Sequence, residues 1–232
     1  MSMDEWNNYN WPLISFAFDD GGVNTYTAGL PLFQGFGVPA CVGIIATYPG
    51  NEVAAMTWDQ LRGLQSAGWE ICSHSYDHDL AGWYPQSEEF MTTQTIASME
   101  ALTAQGLKVS NYICPGATPF PYDVVPDSVK HYHSARMTNV GVNQMPLACP
   151  AVWQLKVQNL DGRDIATCKA IIDTEMGYAA KGSRHWIIFY GHQFNAADVT
   201  FLTELLTYIQ SKNLGIYTIQ QALDIGGVVR ND

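Results

Sequence analysis

Short runs of apolar and β-branched residues alternate along the chain with longer stretches whose apolar positions recur every three or four residues. The short runs predict strands at 13–18, 40–45, 70–74, 111–114, 153–157, 186–190 and 215–218. Four to eight apolar residues bounded by turn formers suit a strand buried on both faces. The longer stretches predict helices over 25–35, 57–67, 87–105, 122–131, 164–180 and 198–212. In the second of these, Asp59, Leu61, Leu64 and Gln65 keep helical spacing, and Thr57 stands before "WDQL" as an N-cap. Gly35, Gly68, Gly106 and Gly215 fall just past predicted helix ends, where a left-handed residue is favoured.

This alternation runs the whole length without a composition break, an internal repeat or a low-complexity segment. It predicts one α/β domain over 1–232 with a parallel sheet, and six or seven repeated units suit a barrel. The stretch 134–164 is irregular, so the expectation is a distorted barrel with fewer than eight complete units. A 47% hydrophobic content gives enough apolar mass for a sizeable core. The net charge of -11 argues against nucleic acid or an acidic membrane surface as partner. No apolar run approaches the roughly 20 residues of a membrane span, and "MSMDEWNNYNWP" lacks the order of a signal peptide. The five cysteines are odd in number and form no CxxC pair, which predicts buried free thiols.

In a parallel barrel the chemistry gathers where strands end, so the polar residues at those positions form one set. The stretch "LISFAFDDGGVNTY" (13–26) delivers Asp19 and Asp20; "CSHSYDHD" delivers His74 and His78; "ICPGA" ends the fourth strand, and "WIIFYGHQF" delivers His192. Each signal alone is weak, because Asp-Gly and Pro-Gly are turn formers and HxxxH pairs arise by chance. Their shared placement predicts a single active site. His131, His133 and His185 are expected at the surface. Adjacent strand residues point to opposite faces, so Asp19 and Asp20 are expected to do different work, one toward a metal and one toward a water. That division tells against a glycosidase, whose two carboxylates flank one bond. One carboxylate with two imidazoles suits a catalytic zinc with an open position, and the same set serves non-haem iron. A serine hydrolase is disfavoured because no G-x-S-x-G elbow is present.

With these residues in view, the chain resembles the polysaccharide deacetylase family, the NodB-homology or carbohydrate esterase family 4 group, from about Leu13 to Leu223. "FAFDDG" is similar to its first motif, "HSYDH" to its second, "YICPGA" to a divergent third, and "IIFYGHQF" to its final strand. The resemblance implies a distorted (β/α)7 barrel and a metal-dependent hydrolase that removes acetyl groups from sugars. It implies Asp19 as general base, Asp20, His74 and His78 as ligands of Zn2+ (with Co2+ or Ni2+ as substitutes), and His192 as general acid. The turn at Pro115 is expected to offer the N–H of Gly116 or Ala117 to an oxyanion. Location outside the cytoplasm (extracellular, periplasmic or cell-surface) follows from the family's glycan substrates.

Two departures stand out. "NYICPGA" lacks the third-motif arginine that pairs with the base, and Arg136 in "HSARMTNVG" is the candidate substitute. The fourth motif is not recognisable either, and Asp161, closing "WQLKVQNLDG", is the candidate to orient His192 and raise its pKa. Trp83, Tyr84, Phe120 and Tyr122 are candidates for stacking on sugar rings. The expected partner is an acetylated oligo- or polysaccharide, N-acetyl sugars first and O-acetyl xylan second. Competing readings are an amidohydrolase of a small non-sugar amide and a non-catalytic glycan-binding relative.

Overall fold

The computed structural model describes residues 8–79, 87–116 and 125–229. Seven strands form the barrel: β1 (Leu13–Phe18), β2 (Cys41–Ile44), β3 (Glu70–Ser73), β4 (Val109–Ile113), β5 (Ser134–Val140), β6 (Leu155–Asn159) and β7 (His185–Gly191). Each is parallel to the next, and β7 closes on β1 in a register running from Leu13 opposite Trp186 to Phe18 opposite Gly191. Around them lie α1 (Leu30–Gly35), α2 (Trp58–Ser66), α3 (Glu88–Thr92), α4 (Ser98–Ala104), α5 (Ile165–Ala179), α6 (Ala196–Ser211) and α7 (Ile219–Gly226). This is the distorted (β/α)7 barrel that the alternation predicts. The distortion sits where the sequence is irregular: among the described residues β5 and β6 are joined without an α-helix, through Asn143–Gln144, Leu147–Ala148 and a 3-10 turn at Ala151–Trp153.

The two-residue period of a strand divides the core. From β1 and β7, Phe16, Phe18, Ile187 and Phe189 face outward and pack with Phe33 of α1, Trp69 and Phe194. Leu13, Ala17, Trp186 and Ile188 face inward with Cys41, Cys72, Ile113 and Leu155. The N-terminal mouth is closed by α7, whose Ile219, Ala222, Leu223 and Ile225 join this inner cluster. Glu70 seals that end, accepting from Asn111 Nδ2 (2.5 Å) and from the N–H of Gln220 (2.8 Å). Among the described residues one mouth is plugged by a helix, which leaves the C-terminal mouth for a ligand.

Several sequence expectations shift. The strand predicted at 215–218 is a single bridge between Ile216 and Ile14, because the barrel has already closed through β7. The chain then enters α7, which the apolar pattern did not reveal. Of the helix predicted over 122–131, the described part is a 3-10 turn, Asp127–His131. Trp153 belongs to a 3-10 turn, and β6 begins two residues later. Gly68 and Gly106 take the left-handed conformation after their helices, but Gly37 does so in place of Gly35, and Asn213 in place of Gly215. His131 and His133 are exposed, whereas His185 is half-buried and hydrogen-bonded with buried Glu175. All five cysteines are free, and only Cys149 is not fully buried. No helix of the described residues is long and apolar enough to cross a membrane.

Candidate active site

The inward face of β1 runs Leu13, Ser15, Ala17, and its next position is Asp19, 2% exposed. β1 ends at Phe18, and Asp20 adopts a left-handed φ of 70°. The two carboxylates therefore part through a turn and not through strand alternation, which corrects the reason given by sequence. Asp19 stays within the barrel mouth. Its Oδ1 pairs with Nη2 of Arg136, which projects inward from β5 and is wholly buried. A second N–H of that guanidinium donates to the Met137 carbonyl at 3.3 Å, and the guanidinium lies over the Tyr190 ring, 5.0 Å from its centroid.

Asp20 turns toward His74 and His78. His74 continues the inward face of β3, and its Nδ1 lies 2.9 Å from the Ile113 carbonyl. A carbonyl only accepts, so Nδ1 carries the proton and the lone pair is left on Nε2, 3.4 Å from Asp20 Oδ1. His78 arrives through two left-handed residues, Ser75 and itself, with its N–H donating to Ser75 Oγ at 3.0 Å. Its Nε2 lies 3.8 Å from the same carboxylate oxygen. One donor atom from each of the three residues lies within 4.8 Å of the other two. Tetrahedral zinc with bonds of about 2.05 Å needs donors roughly 3.3 Å apart, so this triad fits such an ion with small adjustment.

The electrostatics point the same way. The neighbouring His74 ring holds Asp20 below the usual carboxylate pKa, against the opposing effect of burial. Burial, helped by the neighbouring His74, pushes His78 below the ordinary imidazole value. Both directions favour the forms that bind a cation, a carboxylate anion and a neutral ring.

His192 follows β7, the strand paired with β1. Its Nδ1 lies 2.5 Å from Asp161 Oδ2, and its backbone N–H donates to Oδ1 of the same carboxylate at 3.3 Å. Gly191 makes room for this: a Cβ there would stand 3.1 Å from Asp161 Oδ1. The bond to Asp161 raises the His192 pKa, reinforced by the charges of Asp19 and Asp20 and opposed by burial.

A cavity of about 270 Å³ joins these groups, with Asp19, Asp20, His74, His78 and His192 in its walls. Gly116, with a φ of 73°, also lines it beside buried Pro115, and its N–H has no partner among the described residues. Ala117, Trp83, Tyr84, Phe120 and Tyr122 lie outside the described residues. Sequence reading missed two further lining residues, Thr138 and Tyr190. The signal was the two-residue period, which carries the inward face from Arg136 to Thr138 and from Ile188 to Tyr190. A second cavity of about 410 Å³ shares Asp20 and His192 and extends past Asn24, Tyr48, Glu52 and Gln193. The site is thus an open cleft with room for more than an acetyl group.

Residues 7–131 match the family model described as polysaccharide deacetylase. No curated protein matches the chain. Solved structures do. The Xyl-CE4 domain of a multidomain xylanase from the hindgut metagenome of Trinervitermes trinervoides is 17% identical, with 95% of this chain and 93% of that chain covered and a TM-score of 0.61. A family 4 acetyl xylan esterase from Clostridium thermocellum, in complex with a cobalt ion, is 15% identical over 94% and 93% of the two chains, TM-score 0.62. The peptidoglycan deacetylase PdaC from Bacillus subtilis, a D285S mutant, is 13% identical over 92% and 90%, TM-score 0.56. At these identities the structural likeness speaks for the fold.

Proposed function

Because the chain belongs to the polysaccharide deacetylase family, we propose that it is a metal-dependent hydrolase that removes acetyl groups from a glycan, N-acetyl sugars first and O-acetyl xylan second. The observation that carries this is the paired arrangement around the Asp20, His74, His78 triad. A buried carboxylate fixed by an arginine and an imidazole fixed by a carboxylate share its cavity.

The chemistry asks for those parts. An acetamide carbonyl is a poor electrophile and its amine a poor leaving group, so water must be activated, the oxyanion stabilised and the nitrogen protonated. A divalent cation held by Asp20, His74 and His78, zinc in our reading, would supply Lewis acidity toward the carbonyl and its water. Asp19 is the general base that accepts a proton from the attacking water, with Arg136 holding its carboxylate in place. His192 is the general acid. Asp161 occupies its Nδ1, so Nε2 delivers the proton to the departing nitrogen or oxygen. Gly116 lines the same cavity, and its N–H is our candidate donor to the developing oxyanion.

We assign the whole of 1–232 to one catalytic domain, acting where acetylated glycans are met, outside the cytoplasm or at the cell surface. The test is acetate release from acetylated chitooligosaccharides and acetylated xylan, before and after chelation. Acetate from either glycan, lost with chelator and restored by zinc, is expected. Bound metal without acetate would redirect the reading to a small non-sugar amide or to a non-catalytic glycan-binding relative.

A further inference from the structure

Tyr190 is the inward residue of β7 at the level of the site, above Trp186 and Ile188 in the same row. Its ring is held on two sides: Arg136 covers it at 5.0 Å, and the His192 ring meets it edge-on with centroids 6.0 Å apart. It lines the cavity that contains Asp19 and the metal triad. Among the described residues its hydroxyl makes no hydrogen bond, while the Asp19, His74 and His192 side chains in the same cavity each have a partner. Burial lifts the phenol above the usual tyrosine range, so at working pH it is a neutral O–H donor. A rigidly held donor at a reaction cavity can serve an acceptor bound there, and the charge that develops during acyl transfer is on the acyl oxygen.

We propose that the Tyr190 hydroxyl donates a hydrogen bond to the acyl oxygen of the bound substrate, as a second oxyanion donor beside the Gly116 N–H. This rests on the acyl-hydrolase reading given above. It assigns no proton transfer to the phenol: the base and the acid remain Asp19 and His192.

Tyr190→Phe keeps the ring, and with it the contacts to Arg136 and His192, and removes only the donor. The expected result is a loss of about 100-fold in kcat for acetate release, with KM and the pH limbs unmoved, in keeping with removal of one oxyanion donor. A reading independent of turnover is calorimetric binding of methylphosphonate, a tetrahedral mimic of attack on an acetyl group, to the zinc-loaded protein. The variant should bind it about tenfold more weakly while its zinc affinity stays that of the wild type. Unchanged kcat and unchanged methylphosphonate affinity in Tyr190→Phe would overturn the proposal and leave the deacetylase reading standing. A shift of the pH limbs in that variant would also overturn it, since it would mean that Tyr190 acts by packing on Arg136 and His192. Tyr190-dependent methylphosphonate binding in a protein that frees no acetate from any glycan would sink the deacetylase reading and still support Tyr190 as a donor to another acyl substrate.

Discussion

Arg136 and Asp19 face each other across the barrel mouth with almost no solvent contact, so removing either partner leaves a buried charge uncompensated. Arg136→Met should lose roughly 3–5 kcal/mol in urea unfolding. Adding Asp19→Asn to it should restore much of that stability but no activity, because the buried charge is gone along with the base. Asp161→Asn should act through protonation. The folded-state pKa of His192 is raised by its bond to Asp161. The stability this supplies is therefore complete below the unfolded value near 6.5 and is lost as pH rises through the folded one. A general acid must also be protonated to work, so acetate release should fall along an alkaline limb set by His192. Asp161→Asn should move that limb to lower pH, read as kcat/KM against pH and as the His192 ring titration by NMR in metal-free protein. A divalent cation beside Asp20 repels the imidazolium, so the limb of the loaded enzyme should lie below the metal-free titration.

At the scale of elements, the segment after His192 is anchored by a helix cap. Asn195 Oδ1 accepts from the N–H groups of Ala197 and Asp198 at 2.8 and 3.1 Å, and Asp198 Oδ2 accepts the Asn195 N–H at 3.0 Å. Asn195→Ala should cost about 1 kcal/mol and lower the midpoint of thermal unfolding by roughly 2–4 °C. Acetate release should change little, because Asp161 and not the cap holds the imidazole. The outer face of β1 is fixed more firmly, by Phe33 of α1 against Phe16, Phe18 and Trp69 with ring centroids 5.3 to 5.7 Å apart. Phe33→Ala should lose about 3–5 kcal/mol by calorimetry, the cost of deleting a fully buried aromatic.

For the whole molecule, Asp20, His74 and His78 join the ends of β1 and β3, so a cation held there would tie together parts of the chain far apart in sequence. An ion that binds only the folded state stabilises it by mass action, about 2.7 kcal/mol at a hundredfold excess over Kd. Zinc at that excess should raise the unfolding midpoint by roughly 5–10 °C. The rise should be lost in His78→Ala, which removes a ligand that is half-exposed and bears little of the core. Chelation of the loaded wild type should return it to the midpoint of the metal-free protein.

The residues themselves carried a good deal of this. Alternating apolar runs gave the α/β class and six of the seven barrel strands within a few residues, because burial on both faces leaves an uninterrupted apolar signature; β5 (Ser134–Val140) was missed within the stretch read as irregular, because SARMTNV carries polar residues at alternate positions. The positions just past β1, β3 and β7 marked Asp19, Asp20, His74, His78 and His192 as one set, since a parallel barrel brings strand ends to one mouth. What the chain could not settle alone were contacts between distant positions. Arg136 meets Asp19 across 117 residues, and Asp161 meets His192 across 31. A local pattern can propose such partners, but it cannot choose between an ion pair and a surface arginine, or between an orienting carboxylate and an ordinary turn. The role of α7 as a plug and the contacts of Tyr190 with Arg136 were hidden for the same reason. Local sequence sets which backbone forms and which side chains alternate inward, whereas closure of β7 on β1 decides which of them meet.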